Sequence, residues 1–127
     1  MLIDTPISLG ELVDKISILI IKDKNIDDLD KKNHVNKELS FLKKTLKKYL
    51  REEEIKEYLD ELIEINSKLW VIEDDKRQCE KDKDFGEQFI KLSRDVHFLN
   101  DDRAKIKLEI NNLTGSVIKE IKEYTSY

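Results

Sequence analysis

Apolar residues recur at spacings of three and four along most of this chain, which is the period of an amphipathic helix. The first such stripe is Leu9, Leu12, Ile16 and Leu19. Just before it, Ser8 and Glu11 are spaced as in a capping box, in which each side chain binds the other residue's backbone N–H. The pattern predicts helix 1 from about Leu9 to about Asn25.

Two further helices follow from similar signals. Asp27 or Asp28 can cap helix 2, which is expected to end near Leu50. Its apolar seam is Val35, Leu39, Leu42, Leu46 and Tyr49. The acidic residues 52–54 suit a first turn, because carboxylates are favoured at the positive end of the helix dipole. Helix 3 is therefore expected over about Glu53–Asp82.

The fourth helix has the most regular pattern. Asp84 and Glu87 predict a second capping box at its start, and Gly115 predicts a left-handed cap at its end. The seam alternates steps of three and four through Phe85, Phe89, Leu92, Val96, Leu99, Arg103, Ile106, Ile110 and Leu113. One member, Arg103, is charged. The segment 116–127 is either a short docked helix or a tail.

These elements predict an all-α fold. Charged residues make up 41% of the chain and aromatic residues 7%, with three glycines and one proline, a balance typical of long amphipathic helices. The short connection around Lys83 makes helices 3 and 4 an antiparallel hairpin. We expect a single domain over residues 1–127, an antiparallel bundle of about four helices with a long helix 3/helix 4 hairpin. Helices 3 and 4 are longer than helices 1 and 2, which leaves part of the hairpin uncovered. We therefore also expect a homodimer.

Polar residues interrupt the apolar seams of the hairpin. Facing positions in an antiparallel pair predict two polar layers, with Trp70 between them. The first layer contains Glu73, Arg77 and Arg94, and the second contains Asn66, Asn100, Asp101 and Arg103. An unpaired buried charge costs several kcal/mol, so such side chains need either partners or a function.

Three interpretations of these layers remain open. They are internal salt bridges that fix the helix register, or side chains exposed at a splayed end of the bundle, or the lining of a pocket. In the third interpretation helix 1 adds charged residues, and the pocket binds a small anionic ligand. The candidate ligand-binding residues are Glu11, Asp14, Lys15, Lys22, Asn66, Trp70, Glu73, Arg77, Arg94, Asn100, Asp101 and Arg103.

The arginines are the strongest of these candidates, because a planar guanidinium matches a carboxylate or phosphate with two hydrogen bonds. Other candidates have a simpler explanation. Glu11 is accounted for by its capping box, and Lys15 by a surface ion pair with Glu11 four residues earlier. Trp70 is accounted for as a core residue.

Net charge and hydropathy indicate which classes of partner are disfavoured. The formal net charge is −4, which disfavours nucleic acid as a partner, although helix 2 carries a local basic run. That run is Lys31, Lys32, Lys37, Lys43, Lys44, Lys47, Lys48 and Arg51. No apolar stretch approaches the ~18 residues of a membrane span, so no membrane insertion is expected.

No catalytic, metal or cofactor site stands out. Glu73, Asp74 and Asp75 are adjacent rather than on one helix face, and His34 and His97 stand alone. Cys79 is the only cysteine, which excludes an intramolecular disulfide and fits a reducing compartment, so a cytoplasmic location is expected. We therefore expect no cofactor and no metal, while the question of an enzyme stays open.

Several segments together resemble a known family. They are ISLGELVDKISILIIK, NKELSFL, NSKLWVIEDDKR, FIKLSRDVHFLNDDRAKIKLEINNLTGS and EIKEY. The chain resembles, over nearly its whole length, short bacterial and viral proteins grouped as a domain of unknown function, whose genes sometimes lie beside glycosyltransferase or surface-polysaccharide genes. The resemblance implies no activity and no catalytic residue.

The resemblance also implies which residues belong to the family pattern. They are Gly10, Glu11, Asp14, Lys15, Lys22, Asn66, Trp70, Glu73, Asp74, Arg77, Arg94, Asn100, Asp101, Arg103 and Asn111. The chain departs from the pattern at Ser93 and His97, where the family tends to alanine and tyrosine.

The leading interpretation is a non-enzymatic binding or interaction module with an arginine-lined polar pocket. A small helical enzyme that acts on a phosphorylated or carboxylated metabolite is the second, and a structural coiled-coil adaptor is the third.

Overall fold

The computed structural model describes all 127 residues and contains four helices with no strand. They are α1 (Leu9–Asn25), α2 (Leu29–Leu46), α3 (Glu52–Asp82) and α4 (Glu87–Thr114). The predicted all-α helical bundle is confirmed, including the α3/α4 hairpin. No helix has the length and apolar character to cross a membrane.

Helix α1 is the centre of the bundle, since it packs against each of the other three helices. It runs antiparallel to α2, because Lys15 pairs with Glu38 and Asp23 pairs with Lys32. It also runs antiparallel to α4, whose Asn111 contacts Gly10. The start of α1 and the ends of α2 and α4 therefore lie at the same end of the molecule.

The hydrophobic core lies where α1 crosses the hairpin. Its buried members are Leu12, Val13, Ile16, Leu19, Leu39, Leu46, Ile55, Leu62, Ile106 and Ile110. Helices α3 and α4 have 31 and 28 residues against 17 in α1, so the tip of the hairpin extends beyond α1 as two helices alone. There Phe85 and Ile90 are exposed, while Cys79 and Leu92 are buried between the two helices.

Several helix ends match their predicted signals. Asp28 caps α2 by accepting from the Lys31 N–H at 3.0 Å. Gly115 ends α4 with a φ of 64°, and the Ser116 N–H donates to the Asn111 carbonyl at 2.9 Å, as in a Schellman motif. Ser8 accepts from the Glu11 N–H at 3.1 Å, but the Glu11 carboxylate turns to Lys107 instead of completing a capping box.

Two predicted helix ends are wrong. Helix α4 begins at Glu87 rather than with a capping box at Asp84, because the Asp84 carboxylate accepts from the Gly86 N–H in a tight turn. Helix α2 ends at Leu46 rather than near Leu50, and the following turn leaves Tyr49 exposed instead of in the seam.

The segment after Gly115 is a tail without helix. It runs back along α4, since Glu120 pairs with Lys107 and Tyr127 donates a hydrogen bond to Asp101. The Tyr127 ring also packs edge-on against Phe98. Its apolar residues Val117 and Ile121 stay exposed, so the tail is attached through the contacts of Glu120 and Tyr127.

Candidate functional site

A buried polar cluster joins the three helices of the core. It consists of Asp14 and Ser17 from α1, Asn66 from α3 and Arg103 from α4, here called the Asp14 cluster. Arg103 donates to both carboxylate oxygens of Asp14, from Nε at 2.8 Å and from a terminal nitrogen at 2.6 Å. Only 1% of Asp14 is exposed, so this bidentate pair is the main compensation for burying its charge.

Asn66 and Ser17 complete the hydrogen bonding of the cluster. The Asn66 amide nitrogen donates to Asp14 Oδ1 at 3.0 Å and to Ser17 Oγ at 2.8 Å, and Ser17 donates to the Asp14 carbonyl at 2.6 Å. The hydrogen bond to Asp14 raises the pKa of Arg103 above its usual value, so the guanidinium stays charged. The cluster therefore fixes α3 and α4 against α1 at one level.

A second ion-pair group lies about one turn further along α4. Lys107 is 6% exposed, and its ammonium contacts Glu11 of α1 and Glu120 of the tail, each at 2.8 Å. Burial lowers the pKa of Lys107, but the hydrogen bonds to Glu11 and Glu120 outweigh burial and raise it overall. The same contact lowers the pKa of Glu120. One buried ammonium thus holds both α1 and the tail.

The first turn of α1 lies directly against α4. The Gly10 N–H donates to the Asn111 side-chain oxygen at 2.7 Å, which satisfies one of the N–H groups that a helix start leaves unpaired. A Cβ at Gly10 would lie 2.4 Å from the Lys107 carbonyl oxygen. Only glycine permits this approach, which sets the register of α1 against α4.

Beside the Asp14 cluster, a cleft of about 370 Å³ opens between α1 and the hairpin. Its apolar part is formed by Ile18, Ile21, Leu69 and Trp70, and Trp70 is 37% exposed. Its polar part is Asn66, Glu73, Asp74, Arg77 and Arg103. An apolar wall with a few convergent polar groups is typical of small-molecule sites.

The charges in this cleft differ in how far they are already satisfied. Arg103 is neutralised by Asp14. By contrast, Arg77, Glu73 and Asp74 form no ion pair within the protein, and Arg77 and Glu73 are exposed. The cleft therefore offers one free guanidinium and two free carboxylates.

The structure brings together half of the sequence-predicted site residues. Asn66, Trp70, Glu73, Arg77 and Arg103 line the cleft, with Asp14 directly behind Arg103. The family-pattern residue Asp74 lines it as well.

The other sequence-predicted residues lie elsewhere. Lys15 pairs with Glu38 of α2 at 3.0 Å, and Glu11 pairs with Lys107. Arg94 lies over the Phe98 ring, and Asp101 accepts from Tyr127. Lys22 and Asn100 are half-buried, and neither makes a side-chain hydrogen bond or ion pair.

The predicted layer of Glu73, Arg77 and Arg94 is wrong, because all three side chains are exposed and no ion pair joins them. Glu73 and Arg77 line the cleft beside Ile18 and Ile21 of α1, and α1 leaves them uncovered. The second layer is correct for Asn66 and Arg103, which meet through Asp14. Its other member Asp101 is exposed.

Three residues of these polar groups were not predicted from the sequence, namely Ser17, Lys107 and Glu120. The sequence pattern points to two of them. Ser17 interrupts the apolar run of α1, and Lys107 lies midway between Arg103 and Asn111 in a polar row of four-residue spacing along α4. No pattern points to Glu120, because its contact depends on the path of the tail.

No protein-family model, curated protein or solved structure matches this chain. The resemblance to a domain of unknown function therefore stays a prediction.

Proposed function

We propose that this protein is a non-enzymatic binding module for a small molecule that carries an anionic group. The observation that supports the proposal is the free Arg77 guanidinium in a cleft whose other arginine is already held by Asp14. A guanidinium without an internal partner, beside an apolar wall, is suited to a ligand carboxylate or phosphate.

The remaining side chains narrow the class of ligand. Glu73 and Asp74 accept hydrogen bonds from hydroxyl or ammonium groups and repel a second anionic charge. The Asn66 amide nitrogen donates to Asp14 and Ser17, and its amide oxygen remains available as a further acceptor. Trp70 contacts an apolar part of the ligand. The ligand therefore carries its anionic group at one end, against Arg77, and hydroxyl or amine groups at the other.

A thermal-shift screen tests this proposal. The purified chain is melted with a panel of dicarboxylates, sugar phosphates and nucleotide sugars. A ligand specific for the folded state raises the melting temperature by mass action, and one present at about a hundred times its Kd adds about 2.7 kcal/mol. We expect Arg77→Leu to abolish the shift and to leave the melting temperature without ligand unchanged. Arg94→Leu is the matched control and should keep the shift.

The alternatives predict different results in the same screen. An enzyme that acts on a phosphorylated or carboxylated metabolite would return a chemically altered product, which mass spectrometry of the panel detects. A structural coiled-coil adaptor would show no shift with any member. A shift that survives Arg77→Leu would place the ligand outside this cleft and contradict the proposal.

We also propose that two copies associate through the hairpin. An open, mostly apolar groove of about 660 Å³ lies on the hairpin and includes exposed Val71 and Phe98. Lys68 on its α3 side pairs with Glu64, and Asp95 on its α4 side pairs with Lys91, so the rim of the groove is neutral and its apolar floor is uncovered. The proposed occupant is a second copy of this chain, because a two-fold axis buries the same apolar patch on both copies.

Light scattering after size exclusion tests the dimer. The native chain should elute as a dimer, and Val71→Asp should convert it to a folded monomer, since a buried unpaired charge costs several kcal/mol. Val117→Asp, at an equally apolar exposed site in the tail, should remain a dimer. A native monomer at high concentration would contradict the association.

For location we propose the cytoplasm, on the ground that Cys79 is a free, buried thiol in a chain without disulfides.

A further inference from the structure

Three unpaired charges lie beside one another on the α3 side of the cleft. Glu73, Asp74 and Arg77 all line it and are exposed, and none of them forms an ion pair within the protein. Residues three and four apart on a helix are neighbours, with Cβ atoms about 5–6 Å apart, so Arg77 adjoins both acids. The cleft thus presents two free carboxylates and one free guanidinium close together.

The lack of an ion pair between Glu73 and Arg77 distinguishes this part of α3. Glutamate four residues before a basic residue is the favourable order for an ion pair on a helix. Glu64 and Lys68 of the same helix have this order and spacing, and they pair at 3.4 Å. The Glu73 and Arg77 side chains instead line the cleft separately, which leaves both available to a ligand.

The balance of charges favours a ligand that carries a positive group as well as an anionic one. Arg103, the other cation of the cleft, is neutralised by Asp14. Lys22 follows the cleft residue Ile21 and forms no ion pair, and counting it gives only two cations against two carboxylates. A ligand with anionic groups alone would therefore satisfy Arg77 and face two carboxylates without a compensating charge.

The rest of the cleft accommodates a small apolar group. The apolar wall of Ile18, Ile21, Leu69 and Trp70 lies beside the three charges. The volume of about 370 Å³ is near the lower limit for ligand pockets, which suits a small molecule. A carboxylate, an ammonium group and an apolar side chain that share one carbon atom are as close together as the groups that line this cleft.

We propose that the ligand is a zwitterionic amino acid with an apolar side chain, an inference that rests on the proposed binding of an anionic group at Arg77. The carboxylate end of its polar head contacts Arg77, and the ammonium end contacts Glu73 and Asp74. Its side chain packs on the apolar wall beside Trp70. Dicarboxylates and sugar phosphates lack the ammonium group and leave the two carboxylates of the cleft uncompensated.

A fluorescence titration tests the inference, because Trp70 lines the cleft and is the only tryptophan of the chain. The probes are phenylalanine, phenylpropionate, which lacks the ammonium group, and phenethylamine, which lacks the carboxylate. None of them absorbs at the wavelength that selectively excites tryptophan. We expect phenylalanine to bind most tightly and each of the others to bind about fivefold more weakly, the effect of removing one exposed ion pair.

Two variants assign the two charged groups of the ligand. Glu73→Gln/Asp74→Asn should weaken phenylalanine binding to the level of phenylpropionate, and should not weaken phenylpropionate binding. Arg77→Leu should weaken the binding of both and leave that of phenethylamine unchanged. The control Glu57→Gln/Glu61→Gln removes the same charge from exposed positions of α3 outside the cleft, and should bind all three probes as the native chain does. Circular dichroism confirms that the variants fold.

Failure of this inference and failure of the proposed function give different results. Phenylpropionate that binds as tightly as phenylalanine, and still depends on Arg77, would overturn the zwitterion and leave the anion site in place. Phenethylamine that binds as tightly as phenylalanine, with no effect of Arg77→Leu, would overturn both. If no probe changes the fluorescence or the melting temperature, the inference is wrong, and the screen of anionic metabolites decides the proposed function separately.

Discussion

Replacing Arg103 by leucine is expected to lower the free energy of unfolding by roughly 3–5 kcal/mol, which is the usual effect of removing one partner of a buried ion pair. Asp14 is 1% exposed, so its carboxylate would remain buried with only the Asn66 amide as a charge-stabilising donor. Asp14 lies on a packed helix face and cannot turn to water. Urea unfolding followed by circular dichroism measures the loss.

Two further variants separate the buried charge from lost packing. Arg94→Leu makes the same change at an exposed site on the same helix, and its effect should lie within about 0.5 kcal/mol. Asp14→Asn/Arg103→Leu removes the buried charge as well, and should recover a large part of the loss, since the amide still accepts from Asn66. If the double variant were less stable than Arg103→Leu alone, loss of packing would explain the effect and the buried charge would not.

Gly10→Ala is expected to cause the second large change in the free energy of unfolding. Its sign distinguishes helix propensity from close packing. Alanine has the higher helix propensity, which alone would stabilise α1 by about 0.5–1 kcal/mol. The new Cβ would instead meet the Lys107 carbonyl oxygen at 2.4 Å and the Asn111 side-chain oxygen at 2.8 Å. Overpacking of about 1–3 kcal/mol, with loss of the buried Gly10–Asn111 hydrogen bond at about 1–3 kcal/mol, outweighs the gain.

We therefore expect Gly10→Ala to destabilise the protein by about 2–4 kcal/mol in urea unfolding. The closer of the two contacts is with the backbone of Lys107, so shortening the Asn111 side chain cannot relieve it. The double variant Gly10→Ala/Asn111→Ala should therefore be no more stable than Gly10→Ala. A more stable Gly10→Ala variant would show that α1 and α4 do not approach this closely.

Local signals predicted most helix boundaries, because they act within one turn. Asp28 and Gly115 each determine a helix end through their own backbone geometry or side chain. The prediction at Asp84 was wrong because a local signal of this kind fits two turns. After the left-handed Lys83, the Asp84 carboxylate accepts from the Gly86 N–H instead of capping α4.

The sequence predicted the part of the candidate site that depends only on the pairing of α3 with α4. Asn66 and Arg103 lie at one level of the hairpin, and an antiparallel pairing shows this. Their meeting through Asp14 depends on how α1 is placed, which Gly10 sets through a contact with α4. The predicted layer of Glu73, Arg77 and Arg94 was wrong because the seam pattern does not show that α1 leaves these side chains uncovered.

The two arginines of the cleft have different roles. Arg103 holds α1 and α4 together, and Arg77 is free for a ligand. Urea unfolding of Arg77→Leu and of Arg103→Leu, both without ligand, measures this difference. We expect a change within about 0.5 kcal/mol for Arg77→Leu and a loss of roughly 3–5 kcal/mol for Arg103→Leu. Equal losses for the two variants would show that both arginines are structural.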